Sequence, residues 1–559
     1  MKINGAGIIC KMLERQGIHT VPGIPGGTVL PLYDALRESS IEHILVRHEQ
    51  GAGFIAQGMA RATGRAAVCI GTSGPGATNL ITAIADAKLD SIPLVVITGQ
   101  VPQSMIGTDA FQEVDMFGLT LPITKHSFLV RSPEELLEVI PRAFKIAESG
   151  RPGPVCIDVP KDVQVREIEV AEWPAPWTPR PTKVCPPKRI AQLAEMIQSA
   201  KRPVLYIGGG VIAANASELV QELAHRIDAP AACSLMGLGA FPANDPLYLG
   251  MLGMHGARHT NFILDEADLL IAIGARFGDR ATGKVAEFCK HASIIHIDID
   301  ASEIDKIKKT NLSVTADAGQ ALRQLLPMLE AQSRPDWAHR VEAIKLQHPV
   351  HQTASVDPLH PLNLLKTISE MLPPDTIITT DVGQHQMWTA MHYPFQKPRT
   401  LQTSGGLGTM GFGMPAAIGA ALTNPDQRVV CISGDGSILM NIQELATLAE
   451  LNLDVTVIIF NNEHLGLVRQ QQELFYGERY HASKFHACPD FAAIAEGFGV
   501  KGYDLGRTEN PVAMLHEALS GSGPRLVNAP IHTHANVLPM VPPGAANREM
   551  LEEKEAAKA

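Results

Sequence analysis

The chain has 559 residues, of which 45% are hydrophobic and 19% charged, and its net charge is −11. That length exceeds a single hydrophobic core and implies about three domains of ordinary size. The acidic balance excludes a nucleic-acid footprint, which needs clustered Lys and Arg; an anionic ligand must be held locally, by a metal, glycine backbone or single basic residues.

In chain order, the opening "MKINGAGIICKMLERQGI" has no long apolar run and carries Glu14 among its basic residues, so it reads as a first folded helix, not a leader. "AAVCIG", "IPLVVITG" and "GPVCIDVP" read as buried strands closed by Gly or Pro. "WPAPWTPRPTKVCPPK" cannot sustain helix or sheet and marks a linker. "PVLYIGGG", "ADLLIAIGARF" and "SIIHIDID" follow, then a polar segment ending at "DPLHP", then "TIITTDVG", "RVVCISGDG" and "DVTVIIFNN". Short β-rich runs alternating with helical patterns are the signature of parallel α/β structure. The expectation is three parallel-sheet α/β domains at 1–170, 186–330 and 358–545, joined by linkers at 171–185 and 331–357, with the first and last alike.

Eight scattered cysteines form no CxxC or Cys/His cluster. Cys69, Cys156, Cys233 and Cys431 lie inside apolar strand-like runs, which predicts reduced core residues and neither a disulfide framework nor zinc. No apolar run approaches membrane-spanning length. A soluble, cytoplasmic protein is expected.

The run from Cys431 to Asn462 carries the chemistry. A strand ends at Gly434-Asp435-Gly436, Ile438, Ile442, Leu445, Leu448 and Leu451 recur at helical spacing, and a second strand ends at Asn461-Asn462. A right-handed crossover of this length makes the two strands parallel neighbours. Asp435 and Asn462 then share a carboxyl edge, where α/β sheets bind ligands. A carboxylate with an amide oxygen suits Mg²⁺, which is often shared with phosphates. Gly436 and Ser437, at a helix start, can offer N–H groups to a phosphate.

This pattern resembles the thiamine diphosphate motif, with the main-chain oxygen of His464 as a third ligand of Mg²⁺. The chain further resembles the large subunits of the acetohydroxyacid (acetolactate) synthase family. The runs that carry the resemblance include "GIPGG", "HEQGAGFIAQGMAR", "TSGPGATN", "GTDAFQE", "SGRPGPVCIDVPKDV", "LGMLGMHG", "GARFGDR", "TTDVGQHQMW" and "SGGLGTMGFGMPAAIGA". It implies a pyrimidine-side first domain, a central FAD domain and a diphosphate-side last domain. Pyruvate would be decarboxylated and its two-carbon unit added to a second 2-oxoacid, giving 2-acetolactate, the first common step of branched-chain amino-acid synthesis.

By the same resemblance, Glu49 would bond the cofactor's pyrimidine ring and favour loss of its C2 proton. Met410 would bend the cofactor, the Gly408 carbonyl would hold its amino group, and Gln384 and His385 would contact the diphosphate. Gly27, Phe111, Gln112, Lys161 and Arg280 would line the substrate channel. Arg151, Gly208, Gly209, Gly210, Met254, His255, Arg276, Asp298 and Asp317 would contact a structural, non-redox FAD. The pyrimidine side of one subunit would meet the diphosphate side of another, so at least a homodimer is implied, and a small regulatory subunit is expected.

Two positions depart from the family pattern. Gly278 replaces an aspartate in the usual Arg-Phe-Asp-Asp-Arg run, which alters flavin contacts. Gln471 stands where most members carry a tryptophan that packs on the acceptor's alkyl group, so little preference for 2-oxobutyrate over pyruvate is expected. Glyoxylate carboligase, a related flavin-retaining enzyme, lacks the activating carboxylate that Glu49 supplies here. A flavin-dependent oxidoreductase such as pyruvate oxidase would instead reduce its flavin.

Overall fold

The computed structural model describes residues 1–179, 184–350, 353 and 355–552. Residues 180–183 of the first expected linker and 351, 352 and 354 of the second lie outside them. Twenty strands are present among the described residues. In the first third they are β1 (Lys2–Asn4), β2 (Thr20–Gly23), β3 (Glu42–Leu45), β4 (Ala67–Gly71), β5 (Leu94–Gln100), β6 (His126–Leu129), β7 (Pro154–Pro160) and β8 (Glu167–Glu169). The central third has β9 (Pro203–Ile207), β10 (Ala231–Cys233), β11 (Tyr248–Met251), β12 (Leu269–Ile273), β13 (Ser293–Asp298) and β14 (Leu312–Thr315). The last third has β15 (Ile377–Thr380), β16 (Leu401–Gln402), β17 (Val429–Gly434), β18 (Val455–Asn461), β19 (Lys501–Asp504) and β20 (Arg525–Pro530).

Eighteen of these strands form three six-stranded parallel sheets flanked by helices. The first runs β3-β2-β4-β5-β7-β6 and the last β16-β15-β17-β18-β20-β19, so the outer thirds have one strand order. The central sheet runs β11-β10-β9-β12-β13-β14, the doubly wound order that reverses between its first and fourth strands. The inner parallel strands are buried on both faces, as their mostly apolar runs allow: every residue of β4, β5, β7, β9, β12, β17 and β18 is buried. Seven of the eight cysteines are buried as free thiols.

Three local expectations are corrected. The chain starts as a strand, β1 pairing antiparallel with β8, and the first helix begins only at Gly5, where the Asn4 side chain caps it. The polar segment expected as a linker contains helix Pro335–Gln347. Its Trp337, Val341 and Ile344 are buried on the central sheet at helical spacing, and the Trp337 indole N–H donates to the Pro203 carbonyl at 3.1 Å. The single helix expected after Asp435 is broken into Asp435–Ile438, a 3₁₀ turn at Ile442–Glu444, and Leu445–Glu450. The break falls at Asn441, whose buried amide leaves the helix to bond the Gly411 carbonyl at 2.8 Å.

The outer thirds are packed face to face through helices Glu49–Thr63 and Gly413–Thr423. Both helices need glycine at the crossing: a Cβ on Gly58 would lie 2.2 Å from the Ala416 carbonyl oxygen, and one on Gly419 would lie 2.0 Å from that of Ile55. Around the crossing, Ile55, Ala56, Cys69 and Val96 join Ala417, Ile418, Cys431 and Val457 in one apolar core. Phe54 meets Phe412 edge-on, with ring centroids 5.4 Å apart. Another core runs from Leu205 and Ile273 of the central third through Leu364 and Trp388 to Ile458 of the last.

Candidate active site at the carboxyl edges of three sheets

In the last third, the expected residues follow the ends of adjacent strands: Gln384 and His385 after β15, Gly408 and Met410 after β16, Asp435 to Ser437 after β17, Asn462 and His464 after β18. β17 and β18 are parallel neighbours in continuous register, as the sequence implies. Asp435 is buried; its Oδ1 accepts the Gly436 N–H at 2.8 Å, while its Oδ2 is buried with no partner. Burial raises its carboxyl to about pKa 6, against the pull of main-chain N–H groups of Gly436, Glu463, His464 and Asn462. Those amides place the 462–464 turn directly against Asp435. The Asn462 Oδ1 accepts the His464 N–H at 3.1 Å, and the His464 ring turns back onto the Asn462 carbonyl at 2.8 Å. An orphaned carboxylate oxygen beside amide and carbonyl oxygens is a donor set suited to a hard cation. Among the described residues no group of three or more His, Cys, Asp or Glu is placed to hold a metal.

The buried His385 ring lies against the backbones of Gly383 and Gly434, where a Cβ would come within 2.8 Å of it. Its Nε2 is buried without a partner, and burial lowers its pKa to about 3, so the ring is neutral. Gln384 is committed within the protein: its Nε2 donates to Gln470 Oε1 and the Ala535 carbonyl, both at 2.9 Å, and its Oε1 accepts from Asn462 Nδ2 at 3.0 Å. Its side chain therefore orients Asn462. The Ser437 hydroxyl donates to the Val382 carbonyl at 2.8 Å, so what this residue could offer an anion is its main-chain N–H. Gly408 is exposed with φ +72°, and Met410 is half-buried.

In the first third, Gly27 follows β2, Glu49 follows β3, Phe111 and Gln112 lie on the loop after β5, and Lys161 follows β7. Glu49 opens its helix and is 8% exposed. Asn79 Nδ2 donates to its Oε2 at 2.9 Å. Gly76 gives it room, since a Cβ there would lie 3.1 Å from Oε1. Gly27 is exposed with open space around it, and Phe111 is 88% exposed. Gln112 adopts φ +62°, packed under Gly74.

In the central third, Gly208 to Gly210 follow β9, Met254 and His255 follow β11, Arg276 follows β12, Asp298 ends β13 and Asp317 follows β14. They share one carboxyl edge, and Gly208 to Gly210 and Arg276 flank the point where the strand order reverses. The turns after β9 and β12 nearly touch: a Cβ on Gly208 would lie 2.0 Å from the Gly274 carbonyl oxygen. His255 Nδ1 is buried without a partner, with its pKa lowered to about 4 by burial and by Arg280. Arg280 is exposed and reaches Met254 Sδ at 3.4 Å, which brings the "LGMLGMHG" and "GARFGDR" runs together. Asp298 accepts the Asp300 N–H at 2.9 Å, and Asp317 caps helix Ala318–Leu325. Arg151 pairs with Glu303 at 2.6 Å and Asp300 at 3.3 Å, bridging the first and central thirds. Gly278 is exposed and faces open space.

Sequence reading passes over Asp381, which follows β15. It is buried, accepts the Gly411 N–H at 2.6 Å and the Ser433 hydroxyl at 2.9 Å, and burial raises its pKa to about 6. It anchors the loop that bears Gly408 and Met410. Its one sequence signal is a carboxylate directly after an apolar strand.

Three family models match the chain: the thiamine pyrophosphate enzyme N-terminal TPP binding domain over residues 3–119, the central domain over 190–325 and the C-terminal TPP binding domain over 381–529. The acetolactate synthase isozyme 1 large subunit of Escherichia coli (strain K12) is 55% identical over 553 residues, 99% of this chain and 98% of its own. The isozyme 2 large subunit of the same organism is 48% identical, over 98% of this chain and its whole length. The probable acetolactate synthase large subunit of Methanocaldococcus jannaschii is 46% identical, over 97% of this chain and 94% of its own. With that coverage at both ends and in all three thirds, the chain belongs to the acetolactate synthase large-subunit family of thiamine pyrophosphate enzymes.

Proposed function

We infer that this chain is the catalytic subunit of an acetolactate synthase: it decarboxylates pyruvate and joins the remaining two-carbon unit to a second 2-oxoacid, giving 2-acetolactate for branched-chain amino-acid synthesis. The observation that carries this reading is similarity over nearly the whole length to curated large subunits, in a chain that keeps Glu49, Asp435 and Asn462 in suitable surroundings. Asp435, Asn462 and the His464 carbonyl would hold Mg²⁺, and the orphaned Asp435 Oδ2 supports that assignment. His385 and the main chain at Gly436 and Ser437 would receive a diphosphate, with Gly408 and Met410 beside the rest of the cofactor. Bound there, thiamine diphosphate supplies a carbon nucleophile that adds to a keto group and stabilises the charge left as CO₂ departs.

Glu49 is the chain's own proton-handling group. Asn79 fixes its Oε2, which leaves Oε1 to bond a ring nitrogen of the cofactor. Lys161 and Arg280 are the cations available to an oxoacid carboxylate. Gly27, Phe111 and Gln112 line its approach. The exposure of Phe111 and Gly27 favours their being covered by a second copy of the chain, hence a homodimer at minimum. FAD fits the central edge formed by Gly208, Gly209, Gly210, Met254, His255, Arg276, Asp298 and Asp317, with Arg151 nearby, in a structural role. The relatives' designation as large subunits favours a small regulatory partner. No helix among the described residues is long and apolar enough to cross a membrane, and a cytoplasmic setting suits this reading.

The test is assay of acetolactate and CO₂ with pyruvate, omitting thiamine diphosphate, Mg²⁺ and FAD in turn while flavin absorbance is followed. Product must depend on the first two, and the flavin must stay oxidised. Glu49→Gln should lower turnover by about 10²–10⁴-fold while cofactor and Mg²⁺ still bind. Undiminished activity of that variant would sink the mechanism.

A further inference from the structure

Glu444 is where the last third of the chain reaches the start of the Glu49 helix. It closes the 3₁₀ turn Ile442–Glu444 and is fully buried. One oxygen, Oε1, accepts the main-chain N–H groups of Arg47 and His48, both at 3.0 Å. The other, Oε2, accepts the Thr447 hydroxyl at 2.6 Å. The two amides immediately precede Glu49. Helix starts leave N–H groups without intrahelical partners, and carry the positive end of the helix dipole. The His48 ring satisfies only the Gln50 N–H, at 3.1 Å. Glu444 accepts the N–H of the capping residue His48 and of Arg47 before it, and brings a negative charge to the helix start from nearly four hundred residues away. Gly51 makes the approach possible, since a Cβ there would lie 2.7 Å from Glu444 Oε1. Asn441, three residues earlier, donates to Gln50 Oε1 at 3.3 Å and to the Gly411 carbonyl at 2.8 Å. It thereby ties the residue after Glu49 to the residue after Met410.

The same device runs in the opposite direction. Asp86 and Asp90, on helix Ile81–Asp90 of the first third, grip the turn that leads to Gly408 and Met410. The Ser404 and Thr409 hydroxyls donate to Asp86, the latter at 3.0 Å. The Gly405 and Gly406 N–H groups donate to Asp90 at 3.0 and 2.7 Å. Arg61 pairs with both carboxylates, at 3.3 and 2.9 Å. In each direction a buried carboxylate on the crossover after the third strand of the shared order, β4 or β17, holds the turn before the other third's interface helix.

We propose that Glu444 is a positioning residue for Glu49, setting from the opposite third of the chain the main-chain turn that fixes where the Glu49 carboxylate can reach. The proposal rests on the reading that Glu49 activates thiamine diphosphate. A carboxylate that must meet one ring nitrogen tolerates little displacement, since a misplacement of about 1 Å can cost about 10²-fold in rate. Without Glu444, the Arg47 and His48 amides lose their acceptor and the turn is free to shift.

The test compares Glu444→Ala, Glu444→Gln and Glu49→Gln in the full chain with thiamine diphosphate and Mg²⁺. Three quantities are read: deuterium exchange of the cofactor C2 proton without pyruvate, steady-state kcat and KM, and cofactor affinity from fluorescence titration. Glu444→Ala should slow exchange and kcat together by about 10- to 100-fold, with KM and cofactor affinity nearly unchanged. Glu444→Gln should recover most of the loss, because its amide oxygen still accepts both N–H groups. Exchange at the parental rate in Glu444→Ala overturns the proposal. If that variant does not fold, Gly51→Ala carries the test, since its methyl group displaces the Glu444 carboxylate; parental exchange there overturns it equally. Glu49→Gln separates the two ideas: slow exchange with a parental Glu444→Ala defeats only the positioning role, whereas fast exchange in Glu49→Gln defeats the functional reading as well.

Discussion

The first and last thirds share a strand order and place their candidate site residues at the same sheet edge, yet the side chains gathered there differ. The edge of the first carries one buried carboxylate, Glu49, and an exposed rim that includes Gly27 and Phe111. The edge of the last gathers Asp435, Asn462 and His385 into a buried cluster with unpartnered polar atoms. The backbone plan is therefore neutral. On the proposed reading, what would separate a proton-handling surface from a cation-and-phosphate cradle is which side chains leave the strand ends and how deeply they are buried. Neither edge makes a complete site by itself.

The comparison can be broken first at the crossing that both thirds share. Gly419→Leu and Gly58→Leu should each destabilise the chain by about 3 kcal/mol or more in urea denaturation, because each drives a side chain into a main-chain carbonyl across the interface. A variant that costs nothing at one glycine but not at the other would show that the halves are not equivalent there. A smaller effect tests whether acceptor choice belongs to the last third alone. Gln471, exposed on helix Gly466–Phe475, when replaced by Trp, should shift the product ratio toward 2-acetohydroxybutyrate by about 1–3 kcal/mol of discrimination. An unchanged ratio with both acceptors present would move that choice elsewhere.

A more gradual effect, spread over several pH units, concerns a buried acid in the first sheet. Asp158 accepts the Thr98 hydroxyl at 2.8 Å and the Gln100 amide at 3.0 Å, and burial raises its pKa to about 7. Its folded pKa lies above the unfolded value, so the folded state binds the extra proton. The stability this contributes is present below about pH 4 and is lost as pH rises through 7. Asp158→Asn should remove a downward slope of at most about 1.4 kcal/mol per pH unit between those limits, measured as unfolding free energy against pH.

The sheets were legible because parallel strands buried on both faces are written as runs such as "VTVIIF", and the edge location of the candidate residues followed from the strand ends. The break at Asn441 was hidden because Ile438, Ile442 and Leu445 keep an apolar period through it; the force that breaks the helix is a hydrogen bond to Gly411, thirty residues away. The helix at Pro335–Gln347 was hidden for the opposite reason, since only Trp337, Val341 and Ile344 mark its buried face among polar neighbours. Asp86, Asp90, Asp381 and Glu444 could not be read as clamps, because their partners belong to remote segments. Gln384 was expected to contact a diphosphate, and the sequence does not show that its amide is engaged by Gln470, Ala535 and Asn462.

The glycine crossing carries a consequence for how the chain can be divided. Ile55 and Val96 share their apolar surroundings with Ile418 and Val457, so the boundary between the outer thirds runs through a core and not around one. Severing the chain at its linkers would leave the first unit one core of its own, the cluster from Ile8 to Val170, and only part of the other. The excised piece would present the face of helix Glu49–Thr63 to water, and that face would draw together any pieces that carry it. Synthesis therefore leaves the first third waiting for the last, and the nascent chain holds an unpaired adhesive surface until Gly419 emerges to meet it.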